Sequence, residues 1–234
     1  MQTNIFDTLK LFSLPDYLAV TLLIGGWAFM GWYIEKDRAG RPSTHNLMTA
    51  YRIQWMQVMT RRSPRIFDVN MLSTLRQGTS FFISAIMLAI GGCFALIGQA
   101  DKLRGVAVDL TGGTETPLVL WEIKVLLVIL LLSSAFLKFV WSHRLFGYNA
   151  VVMAAVPEGD PDWAETQSMA KKAAKLNIYA ARSFNRGLRA MYFSLAALAW
   201  LIGPIVLIGA TALTIYVLYQ REFNSQSRAA LLED

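Results

Sequence analysis

Residues Ala190 to Gln220 read AMYFSLAALAWLIGPIVLIGATALTIYVLYQ, a run of 31 residues without a charged side chain. A bilayer hydrocarbon core takes roughly 20 helical residues. At 1.5 Å per residue this run would extend about 46 Å, so as a single span it must tilt, bend or protrude. Gly203-Pro204 lies inside it and supplies a place to bend, because proline removes a helical donor and crowds the preceding turn.

Three further runs carry the same message. Tyr17 to Ile34 is 18 residues without a charge, and Gln77 to Ala100 is 24. Leu118 to Trp141 is another 24, with Glu122, Lys124 and Lys138 near its ends. Hydrophobic residues make up 55% of the 234 and charged residues 16%, against roughly 25% charged in soluble proteins. That excludes disorder, a secreted disulfide scaffold and an ordinary cytosolic enzyme. The single cysteine, Cys93, allows no intrachain disulfide and reads as a small packing residue. The first run is not preceded by a basic segment, since Asp7 and Lys10 nearly cancel, and Trp32-Tyr33 closes it like an interfacial belt. It reads as a retained helix rather than a cleaved leader.

The expected fold is therefore an all-α integral membrane protein, one membrane domain over residues 1–234. Its four transmembrane helices are expected at about 17–34, 77–99, 118–141 and 190–219. Between them lie inner segments 35–76 and 142–189, with long cytoplasmic helical extensions and an inner amphipathic helix.

Charge orients the chain. The segment Glu35 to Arg76 carries a net +5 and Ser142 to Leu188 a net +2. The segment before the first span, the loop Asp101 to Pro117 and the tail after Gln220 each carry −1. Positive loops stay cytoplasmic, which predicts a bacterial inner-membrane protein with both termini outside. The overall +6 is mostly this orientation signal plus attraction to anionic lipid, not a nucleic-acid footprint.

Within the segments, Ile5, Phe6, Leu9 and Phe12 have helical spacing and suggest a short surface helix over 1–12. Leu47, Met48, Tyr51, Ile53, Trp55, Val58 and Met59 make Pro42 to Pro64 an amphipathic helix at the inner leaflet or under the bundle. The cluster Pro157 to Asp162 is a turn, so helix three should run to about Ala155 and helix four should begin near Trp163. Thr111-Gly112-Gly113-Thr114 in the outer loop is a turn and not a phosphate loop.

The candidate site is a polar constellation near the inner boundary. Arg182, Asn185, Arg189 and Tyr192 share one helical stripe. Lys138, His143 and Arg144 lie at a similar depth on the antiparallel helix, Asp68, Asn70, Arg76 and Gln77 approach the same level on helix two, and Asp68 is the candidate counter-ion. A charge at membrane level costs about 2.5–3.5 kcal/mol at a central position, so these groups should pair or face water. Surplus cations leave room for an anion or a lipid headgroup. Snorkelling to phosphate headgroups and a purely structural inter-helix network are the alternatives. Two histidines, His45 and His143, supply neither a zinc site nor a bis-histidine haem. No metal, cofactor or catalytic residue is expected.

The run Ala180 to Trp200, AARSFNRGLRAMYFSLAALAW, resembles the signature of a bacterial and plant membrane family catalogued as domain-of-unknown-function family 599. Phe81 to Gly92 and Phe139 to Asn149 resemble it as well, and the likeness covers about residues 15–220. It implies a multi-pass membrane protein and supplies no substrate or cofactor. Three functions remain open: a channel- or transporter-like protein, homo-oligomeric, with a cationic inner vestibule; an accessory subunit of a larger membrane complex; and an enzyme acting on lipid or a small anion.

Overall fold

The computed structural model describes residues 10–38, 40–100, 105 and 117–233. Among them every regular element is helical: α1 (Leu14–Glu35), α2 (Thr44–Met59), α3 (Ile66–Gly98), α4 (Leu118–Ala154), α5 (Ala164–Leu198), α6 (Pro204–Phe223) and α7 (Gln226–Ala230), with a 3-10 turn, Ala199–Leu201, between α5 and α6. Four stretches are long and apolar enough to cross a membrane: α1, α3, α4 and Pro204–Ala230. The chain is a multi-pass membrane protein. The expected helix over 1–12, apart from residues 10–12, lies outside the described residues. So does the outer loop 101–117, apart from residues 105 and 117.

The chain divides into two compact units. The first comprises Met1–Tyr33, Ile86–Ala135 and Leu188–Tyr219. Its buried side chains include Leu23, Met30, Val125, Val128, Phe193, Ala197 and Leu207. Here the 31-residue uncharged run is not one helix. Ile202 and Gly203 both donate their amides to the Ala199 carbonyl, at 3.2 and 3.3 Å, ending the first helix. Pro204 then opens α6, where a missing N–H is no loss and the fixed φ suits a first turn.

The chain reverses at this point, as the neighbours of α1 show. Trp200 Nε1 donates to Asp16 Oδ1. A Cβ added at Gly26 would lie 2.8 Å from Ile215 and 3.6 Å from Phe193. The rings of Tyr33 and Tyr219 are 6.4 Å apart. Moving down α1 from Asp16 to Tyr33, the partners run backwards on the end of α5 and forwards on α6. The expected span 190–219 is thus two antiparallel pieces joined by a tight turn. With 20 residues, α6 alone covers about 30 Å.

The second unit comprises Ile34–Ala85, Phe136–Gly187 and Gln220–Asp234. Met56, Met59, Leu72, Leu145, Phe146, Met153, Val156, Ala173, Ala174 and Ala180 form its core. Ser43 caps α2 by accepting from the Asn46 amide, and its hydroxyl donates to the Ile34 carbonyl at 2.9 Å. The tail binds the same region. Arg41 Nη2 donates to Asn224 Oδ1 at 3.0 Å, the His45 amide to Glu222 Oε2 at 3.1 Å, and Arg228 Nε to the Pro42 carbonyl at 3.0 Å.

The tail therefore lies against the start of the 35–76 segment. The tail carries Arg221 and Arg228.

Candidate functional site

On α3 the last charged side chain is Arg76, and no other follows through Gly98. On α4, Lys138 and Arg144 flank the end of the apolar run. The level of Arg76 and His143 is thus where the apolar surface of both helices begins. A cavity of about 700 Å³ opens there, within the second unit. Met59, Leu72, Ala150 and Met153 contribute apolar walls, and Arg65, Asp68, Arg76, Gln77, His143 and Glu158 contribute polar ones.

Each polar group has a distinct position. Asp68 is fully buried. Its Oδ1 accepts from Trp55 Nε1 and from Arg62 Nη1, both at 2.7 Å. Its Oδ2 is buried with no hydrogen-bond partner among the described residues. Arg65 donates from Nη1 to the Val156 carbonyl at 2.7 Å and from Nη2 to the Pro157 carbonyl at 2.9 Å, so it meets carbonyls just beyond the end of α4 that the helix leaves open.

His143 Nδ1 lies 2.9 Å from Thr79 Oγ1, and that hydroxyl donates to the Arg76 carbonyl at 2.7 Å. Arg76 is exposed and makes no ion pair or side-chain hydrogen bond among the described residues. The cavity thus joins an apolar trough to an uncommitted guanidinium and an imidazole.

Of the residues singled out in the sequence, Arg182, Asn185, Arg189 and Tyr192 lie on the one helix α5. Arg182 and Asn185 belong to the second unit, whereas Arg189 and Tyr192 belong to the first. Arg182 is half-buried, with Nε lacking a hydrogen-bond partner among the described residues. Asn185 donates to His45 Nδ1 at 3.0 Å. Arg189 is buried and Tyr192 half-buried. Lys138 is half-buried, and its carbonyl accepts from Ser183 Oγ at 2.8 Å. Arg144 is exposed and held on its own helix, donating to the Tyr148 hydroxyl at 2.8 Å with its guanidinium over the Trp141 and Tyr148 rings. Asp68 is a counter-ion, but for Arg62.

Sequence reasoning passed over the clamp at Arg65, and nothing in the local pattern marks it. It also passed over Arg52, which has a signal: Arg52 is the only Lys, Arg, Asp or Glu in the 16 residues of α2.

A family model described as "Protein of unknown function, DUF599" matches residues 18–227. No curated protein and no solved structure matches the chain. The match spans nearly the whole sequence, and the chain belongs to this family.

Proposed function

We propose that this DUF599 protein is a bacterial inner-membrane protein that binds an anionic amphiphile, of the kind a phospholipid presents, in the 700 Å³ cavity. The single observation that carries the reading is an exposed, unpaired Arg76 at the mouth of a trough whose walls include Met59, Leu72 and Met153. A phosphate group would meet Arg76, Gln77 and His143, and the attached chain would lie along the apolar surface that begins at their level. Arginine suits this role because its planar fork matches phosphate oxygens. Large, mostly apolar cavities with a few convergent polar groups are where ligands of this size bind. Neither turnover nor conduction is part of the reading.

In the proposed topology, the 35–76 segment and the C-terminal tail face the cytoplasm and the N-terminus faces the opposite side. The end of α5 crosses outward before α6 returns. Surplus arginine in the 35–76 segment supports this orientation.

Co-purified lipid tests the binding. Protein extracted in mild detergent should retain phospholipid visible by native mass spectrometry. Arg76→Gln should lower retention about tenfold, the equivalent of roughly 1.4 kcal/mol and close to the contribution of one charge-assisted hydrogen bond. Equal retention by both proteins would remove the basis of the proposal.

A further inference from the structure

Away from that cavity, the second unit contains a half-buried cation that makes no ion pair among the described residues. Arg52 sits on α2, half-buried, and among the described residues its side chain makes one hydrogen bond, from Nη1 to Asn177 Oδ1. Asn177 is itself fully buried. A guanidinium carries five N–H donors, and one neutral amide oxygen leaves most of them unmet. Taking an arginine out of water without a counter-charge is costly. Burial pulls this guanidinium below its ordinary pKa.

Arg52 lines a separate cavity of about 240 Å³, together with Thr44, His45, Thr49, Asn185 and Glu222. The one carboxylate there, Glu222, accepts from the His45 amide at 3.1 Å and is not within ion-pairing distance of Arg52. Asn185 uses one amide hydrogen on His45 Nδ1, and its second remains available as a donor. The space suits a small tetrahedral or planar anion with a few waters, at roughly 30 Å³ per water. It is too small for the body of a lipid.

We propose that this cavity binds a small oxyanion, a phosphate-type group, with the Arg52 guanidinium as its main ligand and the Asn185 amide as a second donor. The site is independent of the amphiphile cavity and of Arg76. The occupant is either a free oxyanion or the terminal phosphate of a headgroup reaching in from the membrane surface. Both present the same oxygens to the same fork.

The test uses the full chain, purified in neutral detergent without phosphate. Thermal unfolding is followed while inorganic phosphate replaces chloride at constant ionic strength. A ligand that binds only the folded state raises the midpoint in a saturable way. The wild type should show this rise, and Arg52→Gln should lose the saturable part of it. Arg52→Lys, which keeps the charge but not the fork, should need about tenfold more phosphate.

A parallel series in nanodiscs compares phosphatidic acid with phosphatidylcholine. If only phosphatidic acid gives the Arg52-dependent rise, the ligand is a headgroup. If free phosphate gives it, the ligand is a soluble oxyanion. Either result supports the site. If Arg52→Gln does not fold, phosphorus NMR of the wild type against Arg52→Lys supplies the same comparison, with line broadening weakened in the lysine variant. No saturable response in the wild type, or an equal response in the Arg52 variants, overturns the proposal.

Discussion

The indole N–H of Trp200 donates to Asp16 Oδ1 at 2.7 Å, joining positions 184 residues apart. The same carboxylate accepts from the Ser13 hydroxyl and amide through its other oxygen. The Trp200 ring stacks on Phe12 with centroids 5.4 Å apart, and Lys124 Nζ lies 5.6 Å from its centroid. Asp16 and Trp200 are both buried. This link ties the start of α1 to the turn where the chain reverses before α6.

Trp200→Phe keeps the ring but removes the donor, leaving a buried carboxylate oxygen unmet. The expected loss is about 1–3 kcal/mol, read as a lower midpoint of thermal unfolding in detergent. Trp200→Ala should lose more, because the stacked ring goes as well. A Trp200→Phe protein as stable as the wild type would show that the hydrogen bond is dispensable.

The hydrogen bonds from Arg41, His45 and Arg228 to the tail make a prediction about sidedness. Single cysteines at Arg61 and Ser227, introduced with Cys93→Ser, should react with an impermeant maleimide from the same face of the membrane. A cysteine at Leu11 should react from the other. Labelling of Ser227→Cys and Arg61→Cys from opposite faces would contradict the fold of the second unit.

Gly187 has no room for a side chain. A Cβ there would lie 2.9–3.0 Å from three atoms of the Phe139 ring. That ring cannot easily yield, being stacked on Phe82 at 5.1 Å and set edge-on to Phe184 at 5.3 Å. Gly187→Ala should therefore destabilise by about 1–3 kcal/mol, although alanine is the better helix former by about 1 kcal/mol. Gly25, where nothing lies within 4 Å of an added Cβ, is the control. Gly25→Ala should be neutral or slightly stabilising in the same unfolding assay.

The Asp68–Arg62 pair is asymmetric, since Asp68 is fully buried and the Arg62 side chain is 37% exposed. Asp68→Ala leaves the Trp55 indole without its acceptor and Arg62 without its counter-charge. Breaking such a pair costs about 3–5 kcal/mol in a dry interior, and the exposure of Arg62 points to the lower end. Asp68→Asn keeps an oxygen for Trp55 and should lose about half as much. Chemical denaturation of the two variants, compared with the wild type, checks the order.

How much of this was legible depended on the range of the interaction. The apolar runs 17–34, 77–100 and 118–141 each fall within a long helix, because transfer to lipid is a local property of 20 or so residues. The run 190–220 exceeded a bilayer in length and contained Gly203-Pro204, so a bend was readable. Complete reversal was not, because it depends on Trp200 meeting Asp16 and on Ile215 and Phe193 both meeting Gly26. The candidate site was legible as a level on the helices, where charge stops and apolar surface begins. Asp68, Arg76, Gln77 and His143 were legible at that level, but partners were not, since spacing on one helix leaves open whether Asn185 faces His45 or a ligand, and whether Asp68 serves Arg62 or Arg182.

The sequence by itself determined an all-helical, multi-pass chain with a strongly basic 35–76 segment, since hydropathy and charge count act along the chain. Tertiary structure alone decided the reversal before Pro204, the docking of the tail beside α2, and the pairing of Arg52 with Asn177. Those outcomes depend on hydrogen bonds and packing between residues more than 100 positions apart. Such contacts are selected by the geometry of the whole assembly, which no local pattern encodes.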